Sequence, residues 1–343
     1  MFPNKLLLII NYGITMTQAR KRLVNYTATT KYLITCRCVR RAFLCGKDQY
    51  TNQDYEHRRG WLEDILLNLP TIFAIDIASY AIMSNHFHLV ISVDTQKVES
   101  WSRIEIIKRW HKLYNGTVIS QAFVQGAKLS DLEEKLLSES VVIWRERLMN
   151  IGWFMKNINE PMARLSNIED NCTGKFWESR YKSKAILDDE GLLSAMVYVD
   201  LNPVRAQMAD TPETSEFTSV KKRSASFKAS NHSNSVKDQP DDLLPLSKHC
   251  KKHIQISTQS YLELVDWTGR QLAEGKKGSI KSDLPDILSR IDLTEAQFLN
   301  ASVNINKSFA NLIGKASSID QHFSKFGLKR ACGWVKALQV LGF

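Results

Sequence analysis

His86 and His88 stand two residues apart in Tyr80-Ala81-Ile82-Met83-Ser84-Asn85-His86-Phe87-His88-Leu89-Val90-Ile91-Ser92-Val93, a run that alternates as a β-strand does. Residues i and i+2 of a strand face the same side, so both imidazoles project together while Phe87 turns to the other side. Two converging imidazoles make half of a divalent-metal site. Farther along, Tyr198 and Asn202 are i and i+4 in a helical stretch and so share one helix face. A helix packed across the sheet would bring the Asn202 side-chain oxygen to the metal as a third ligand and the Tyr198 hydroxyl beside it. A tyrosine is a weak nucleophile at neutral pH because its pKa is about 10. A neighbouring cation lowers that cost and stabilises the charge that develops on a phosphodiester under attack. The chemistry these residues suggest is phosphotyrosine formation on a nucleic-acid strand. Taken singly, each also fits a plainer role: a polar strand pair, a core or rim tyrosine, and an asparagine that stops a helix before Pro203.

The elements that must carry these groups can be read from the pattern. Tyr32 to Cys38 is a first strand, Asp54 to Leu69 a helix stopped by Pro70, Ile72 to Met83 a second strand, and His86 to Val93 a third after a tight Ser84-Asn85 turn. This β-α-β-β order opens a ferredoxin-like antiparallel sheet. Helices follow at Ile104–Tyr114 and Trp153–Leu165, with residues 118–150 less regular and insertion-like apart from a helical piece at Leu129–Leu137. Phe176 to Ile186 alternates and would close the sheet, and Asp189 to Leu201 is the helix that carries Tyr198. Arg37, Arg40 and Arg41 cluster near the end of the first strand. The last strand places Arg180, Lys182 and Lys184 on one face, a cationic ridge suited to phosphates or simply to water. Arg205, just past Asn202, is a further phosphate candidate.

Lysine and arginine number 46 against 36 aspartate and glutamate, a formal net charge of +10. That balance points to a polyanionic partner, nucleic acid first. The six cysteines, Cys36, Cys38, Cys45, Cys172, Cys250 and Cys332, lack paired zinc spacing and read as reduced thiols of an intracellular protein. No apolar run is long enough to span a bilayer, and a cytoplasmic location is expected. Met16 offers an alternative start, so residues 1–19 are read as an N-terminal extension. Residues 20–210 then form the catalytic domain, and residues 211–245, rich in Ser, Thr, Lys, Asn, Asp and Pro, a flexible linker. Residues 246–343 form a helical C-terminal domain, with pieces near Tyr261–Glu274, Asp283–Leu288, Thr294–Ser302 and Lys329–Leu341. The fold class expected is α+β: an antiparallel sheet with helices on one face, plus an all-α C-terminal region.

Together these stretches resemble a known family. Met83-Ser84-Asn85-His86-Phe87-His88-Leu89-Val90 looks like the His-hydrophobe-His motif of the single-tyrosine HUH (IS200-like) transposases. Gly174-Lys175-Phe176-Trp177-Glu178-Ser179-Arg180-Tyr181-Lys182-Ser183 and Tyr198-Val199-Asp200-Leu201-Asn202-Pro203-Val204-Arg205-Ala206 resemble the REP-associated tyrosine transposase branch, as does Thr35-Cys36-Arg37-Cys38-Val39-Arg40-Arg41. The resemblance covers residues 20–215. It implies an HUH nuclease core in which His86 and His88 bind Mg2+ or Mn2+. It also implies that Tyr198 cleaves single-stranded, hairpin-forming repeat DNA, leaving a 5′-phosphotyrosine and a free 3′-hydroxyl, as a monomer or homodimer. Two other readings use the same residues: a catalytically silent DNA-binding protein of this fold, and a metal-dependent hydrolase that activates water instead of Tyr198.

Overall fold

The computed structural model describes residues 24–39, 44–47, 52–247, 254–272, 294–309 and 311–326. The expectations for residues 1–19, Arg40, Arg41, Asp283–Leu288 and Lys329–Leu341 lie outside these. The described strands are β1 (Lys31–Arg37), β2 (Ile75–Ile82), β3 (His86–Val93), β4 (Lys182–Ile186) and β5 (Leu312–Ile313). They form one sheet in the order β2-β3-β1-β4-β5, antiparallel except where β5 runs parallel to β4. The chain is therefore an α+β protein with a mixed sheet.

Strand alternation sorts residues into two cores. On β3, Phe87, Leu89, Ile91 and Val93 join Tyr32, Ile34 and Cys36 of β1 in the core on one face. Val90, Leu33 and Ile186 face the other core, and the period of two puts His86 and His88 on that same side. The first face is covered by α1 (His57–Asn68), α3 (Arg103–His111), α5 (Asp131–Leu148) and α6 (Ile151–Glu169), which supply Leu62, Ile106, Trp144 and Phe154 among others. Two short helices, α2 (Thr95–Ser100) and α4 (Val118–Val124), precede α3 and α5. Residues 118–150 are thus regular rather than loop-like. Thr117 with Ser120, and Ser130 with Glu133, each form a reciprocal capping box that starts a helix there.

The second face is also helical, which corrects the expectation of helices on one face only. Its centre is α7 (Asp189–Asp200), continued after Leu201 by the single turn α8 (Asn202–Arg205). Every residue of α7 from Gly191 to Asp200 is buried. Such all-round burial fits Leu192-Leu193-Ser194-Ala195-Met196-Val197-Tyr198-Val199, which has no polar stripe to give to water. Around it pack α9 (Ser219–Ala229), α10 (Thr258–Leu272), α11 (Glu295–Ser308) and α12 (Ala316–Phe326), through Val220, Tyr261, Phe298 and Ile319.

Two further expectations are overturned here. Residues 211–245 are folded: α9 buries Val220, Arg223 and Phe227, and the fully buried Arg223 guanidinium donates to the carbonyls of Ala78 on β2 (3.0 Å) and Leu244 (2.9 Å). The polar composition misled because the few large apolar side chains, Val220, Phe227 and Leu243 among them, are buried. The C-terminal region is neither all-α nor separate. Leu312–Ile313 extends the sheet, with Ala185 and Leu187 amides donating to the carbonyls of Asn311 and Ile313 at 2.9 Å. Gly314 makes that junction possible at φ +155°, where an added Cβ would lie 2.6 Å from Asp188 Oδ2. The same Asp188 carboxylate caps α7 at the Gly191 amide (2.7 Å) and accepts from the Lys315 amide (2.6 Å), just before α12. Among the described residues no helix is long and apolar enough to cross a membrane.

These contacts set an expectation for proteolysis under native conditions. Trypsin should leave the bond after Arg223 intact, and peptide mapping should find it joined; early cutting there would restore the linker reading.

Candidate metal and DNA-cleaving site

β3 presents the His86 and His88 rings edge to face, 4.9 Å between centroids. α7 crosses behind them and sets the Tyr198 ring 5.5 Å from that of His88, again edge to face. Tyr198 and Asn202 share a helix face as their spacing requires. The Asn202 amide Nδ2 donates to the Tyr198 carbonyl at 2.8 Å, and its Oδ1 accepts no hydrogen bond among the described residues. Arg205, exposed on α8, holds its guanidinium carbon 5.2 Å from the Tyr198 ring centroid. The structure therefore brings His86, His88, Tyr198 and Arg205 together, with Asn202 on the same helical face.

Neighbouring side chains orient both imidazoles. His86 Nδ1 is 2.7 Å from Asn85 Oδ1, an acceptor, so Nδ1 carries the proton and Nε2 keeps its lone pair. His88 Nδ1 is 3.0 Å from Thr35 Oγ1, directly across the β1–β3 ladder. Neither Nε2 has a hydrogen-bond partner among the described residues. Burial, with Arg37 adding to it, lowers the His86 pKa from 6.5 to about 4. Burial lowers His88 well below its ordinary value, helped by His86, Arg205 and Lys184. Both rings are neutral at physiological pH, the form that binds a metal. Asn85 and Thr35 fix the orientation of the two rings, as contacts of this kind do where imidazoles hold a metal. No third His, Cys, Asp or Glu among the described residues joins the pair. The Asn202 side-chain oxygen, one helical turn after Tyr198, is a candidate oxygen donor, and two neutral imidazoles by themselves leave the identity of a divalent ion open.

The cationic residues divide. Arg37 is exposed and pairs in register with His86, while exposed Lys182 pairs with Thr35, itself opposite His88. Arg180 is exposed just before β4. Lys184 departs from expectation: its Nζ donates to the carbonyls of Ile305 (3.0 Å) and Phe309 (2.6 Å) at the end of α11. Burial, with Lys182 nearby, lowers its pKa to about 8. Its ammonium is committed to the protein and stands behind the site rather than on a ridge facing solvent. Sequence reasoning passed over Thr35 and Asn85. Asn85 adjoins the motif, but Thr35 gains its role only through strand register.

No family model and no curated protein matches the chain. Among solved structures it is similar to the REP-associated tyrosine transposase bound to a REP hairpin. That likeness has 10% identity and a TM-score of 0.31, and covers 61% of this chain and 86% of that one.

The electrostatics give a pH expectation. Between about pH 4 and 6.5 an unfolded chain protonates the His86 imidazole while the folded one does not. The unfolded state then binds more protons, so stability falls as pH drops through that window. An NMR titration of the metal-free protein should place the His86 midpoint near 4; a midpoint at or above the ordinary value would contradict the burial described.

Proposed function

We propose that the chain is a metal-dependent single-stranded DNA endonuclease and strand transferase, a transposase-type enzyme acting on hairpin-forming repeat DNA. The observation that carries this reading is the meeting of His86 and His88 with the Tyr198 ring, from separate elements, beneath a rim of exposed arginine and lysine. The order β4-β1-β3-β2 with antiparallel pairing supports a ferredoxin-like core of the HUH kind.

His86 and His88 would hold the cation through Nε2, joined by Asn202 Oδ1. A bound divalent ion polarises the scissile phosphate and offsets the charge that develops on it. Arg205, Arg37, Lys182 and Arg180 hold the strand by its phosphates, and Arg205 beside the Tyr198 ring favours the phenolate over the phenol. The Tyr198 oxygen attacks phosphorus and forms an O–P bond as the P–O3′ bond breaks. The phenol gives up one proton and the departing 3′-oxygen takes one, leaving a 5′-phosphotyrosine and a free 3′-hydroxyl. Attack by another 3′-hydroxyl on the phosphotyrosine reverses the step and joins strands. With both imidazoles neutral, a bound divalent ion would supply positive charge beside the reacting phosphate, and Arg205 is the side-chain cation held against the Tyr198 ring.

Tyr198→Phe should abolish both cleavage and the covalent protein–DNA adduct on a denaturing gel, with labelled hairpin DNA and Mg2+ or Mn2+, while hairpin affinity stays unchanged. Cleavage by both proteins would assign the attack to water, and binding without cleavage by either would favour a silent DNA-binding role. Arg205→Ala should weaken binding and lower the slope of log affinity against log salt by about one, as loss of a single phosphate contact does. An unchanged slope would remove Arg205 from the DNA interface.

A further inference from the structure

Asp200 lies between Tyr198 and Asn202 in sequence, but the helical turn sends it to the opposite side, away from the imidazoles. It is fully buried. One carboxylate oxygen accepts from the Ser219 hydroxyl and from the Val220 amide at 3.1 Å, at the start of α9. The other accepts from the Tyr261 hydroxyl on α10, 61 residues downstream. Ser219 continues the connection: its Oγ accepts from the Tyr80 amide at 3.0 Å and lies 3.1 Å from Ser79 Oγ, both on β2. Two helices, and β2 through Ser219, thus converge on the one fully buried carboxylate of α7.

Packing alone does not explain this group. An apolar side chain would fill the same space without the desolvation cost of a buried acid. What directional bonds add is a single rotation and a single axial position for the helix. Apolar contacts around α7 tolerate a small slide or roll, whereas three hydrogen bonds to fixed donors do not. On the far side of the same turn sit Tyr198 and Asn202, whose placement against the imidazole pair such a slide would spoil. Lys184 ties the end of α11 to the same sheet face through the carbonyls of Ile305 and Phe309. The region after residue 246 therefore grips the nucleophile-bearing helix from behind.

We propose that Asp200, locked by Tyr261 and Ser219, is a positioning residue that sets Tyr198 and Asn202 against the imidazole pair, and that the C-terminal helices serve the reaction through this lock. The inference rests on Tyr198 being the nucleophile of the proposed reaction.

Tyr261→Phe removes one hydroxyl and keeps the ring in the core, so it tests the lock with little loss of packing. The full-length protein, with Mn2+ and a labelled single-stranded hairpin oligonucleotide, gives two readouts: hairpin affinity, and cleavage rate at saturating protein. Circular dichroism confirms that each variant is folded at the assay temperature. The lock predicts unchanged affinity and a cleavage rate reduced by about ten- to a hundredfold, the penalty of a nucleophile displaced by about an ångström. In the Asp200→Asn background, Tyr261→Phe should cost little more, because the two act as one unit. A wild-type cleavage rate in Tyr261→Phe, with only a lowered melting temperature, would overturn the proposal and leave a purely structural contact. Amide hydrogen exchange over 198–202 separates this failure from that of the enzyme reading. Should the wild-type protein cleave nothing, faster exchange there in Tyr261→Phe still supports the lock, and unchanged exchange overturns it.

Discussion

The burial of α7 on every side is the constraint on which the rest of the structure depends. A helix with no face for water needs a cover on each flank, and this one takes the sheet on one side and α9 to α12 on the others. Burying each large apolar side chain contributes about 1.5–3 kcal/mol, so the cover is strongly favoured but weakly directional. Direction comes from polar contacts at the two ends. Asp188 fixes the start by capping α7 and taking the Lys315 amide, and Asp200 fixes the finish through Ser219, Val220 and Tyr261. Burial raises the Asp200 pKa to about 6, against the pull of those same donors and of Arg223.

From that helix follows the electrostatic character of the site. Bringing α7 over β3 buries His88 and half-buries His86, and burial keeps both imidazoles neutral. Arg37, Arg205 and Lys184 add to this by their charge. A neutral pair with cations around it is poorly suited to act as an acid near neutral pH. It is well suited to hold a divalent ion by lone pairs and to accept a polyanion at the rim, which is the proposed use. The opposite face of the sheet plays no part in this chemistry; Phe87 meets Trp177 there with ring centroids 5.7 Å apart and helps anchor the strand.

Much of this was legible in the chain before its fold. The period of two on β3 puts His86 and His88 together, and helical spacing puts Tyr198 with Asn202, because both are local rules that tertiary context leaves intact. The strand sequence β1 to β4 was readable for the same reason. What local pattern could not supply was long-range partnership. Thr35 orients His88 only because β1 and β3 pair in that register, and Lys184 turned from a solvent ridge to a carbonyl anchor because α11 ends over it. The segment 211–245 looked like a linker because a mean composition hides the inward spacing of Val220, Arg223 and Phe227. The C-terminal region looked detached because a strand of two residues, Leu312–Ile313, leaves almost no trace in sequence.

The central claim is that Tyr198 forms a covalent bond to DNA beside the His86–His88 pair. Its most direct test is to treat the protein with hairpin DNA and Mn2+, digest the product with nuclease and protease, and sequence the modified peptide by mass spectrometry. The account predicts a phosphonucleotide on Tyr198 that is lost when His86 and His88 are both replaced by alanine. A nucleotide on any other residue, or DNA cut with no nucleotide left on the protein, would contradict it.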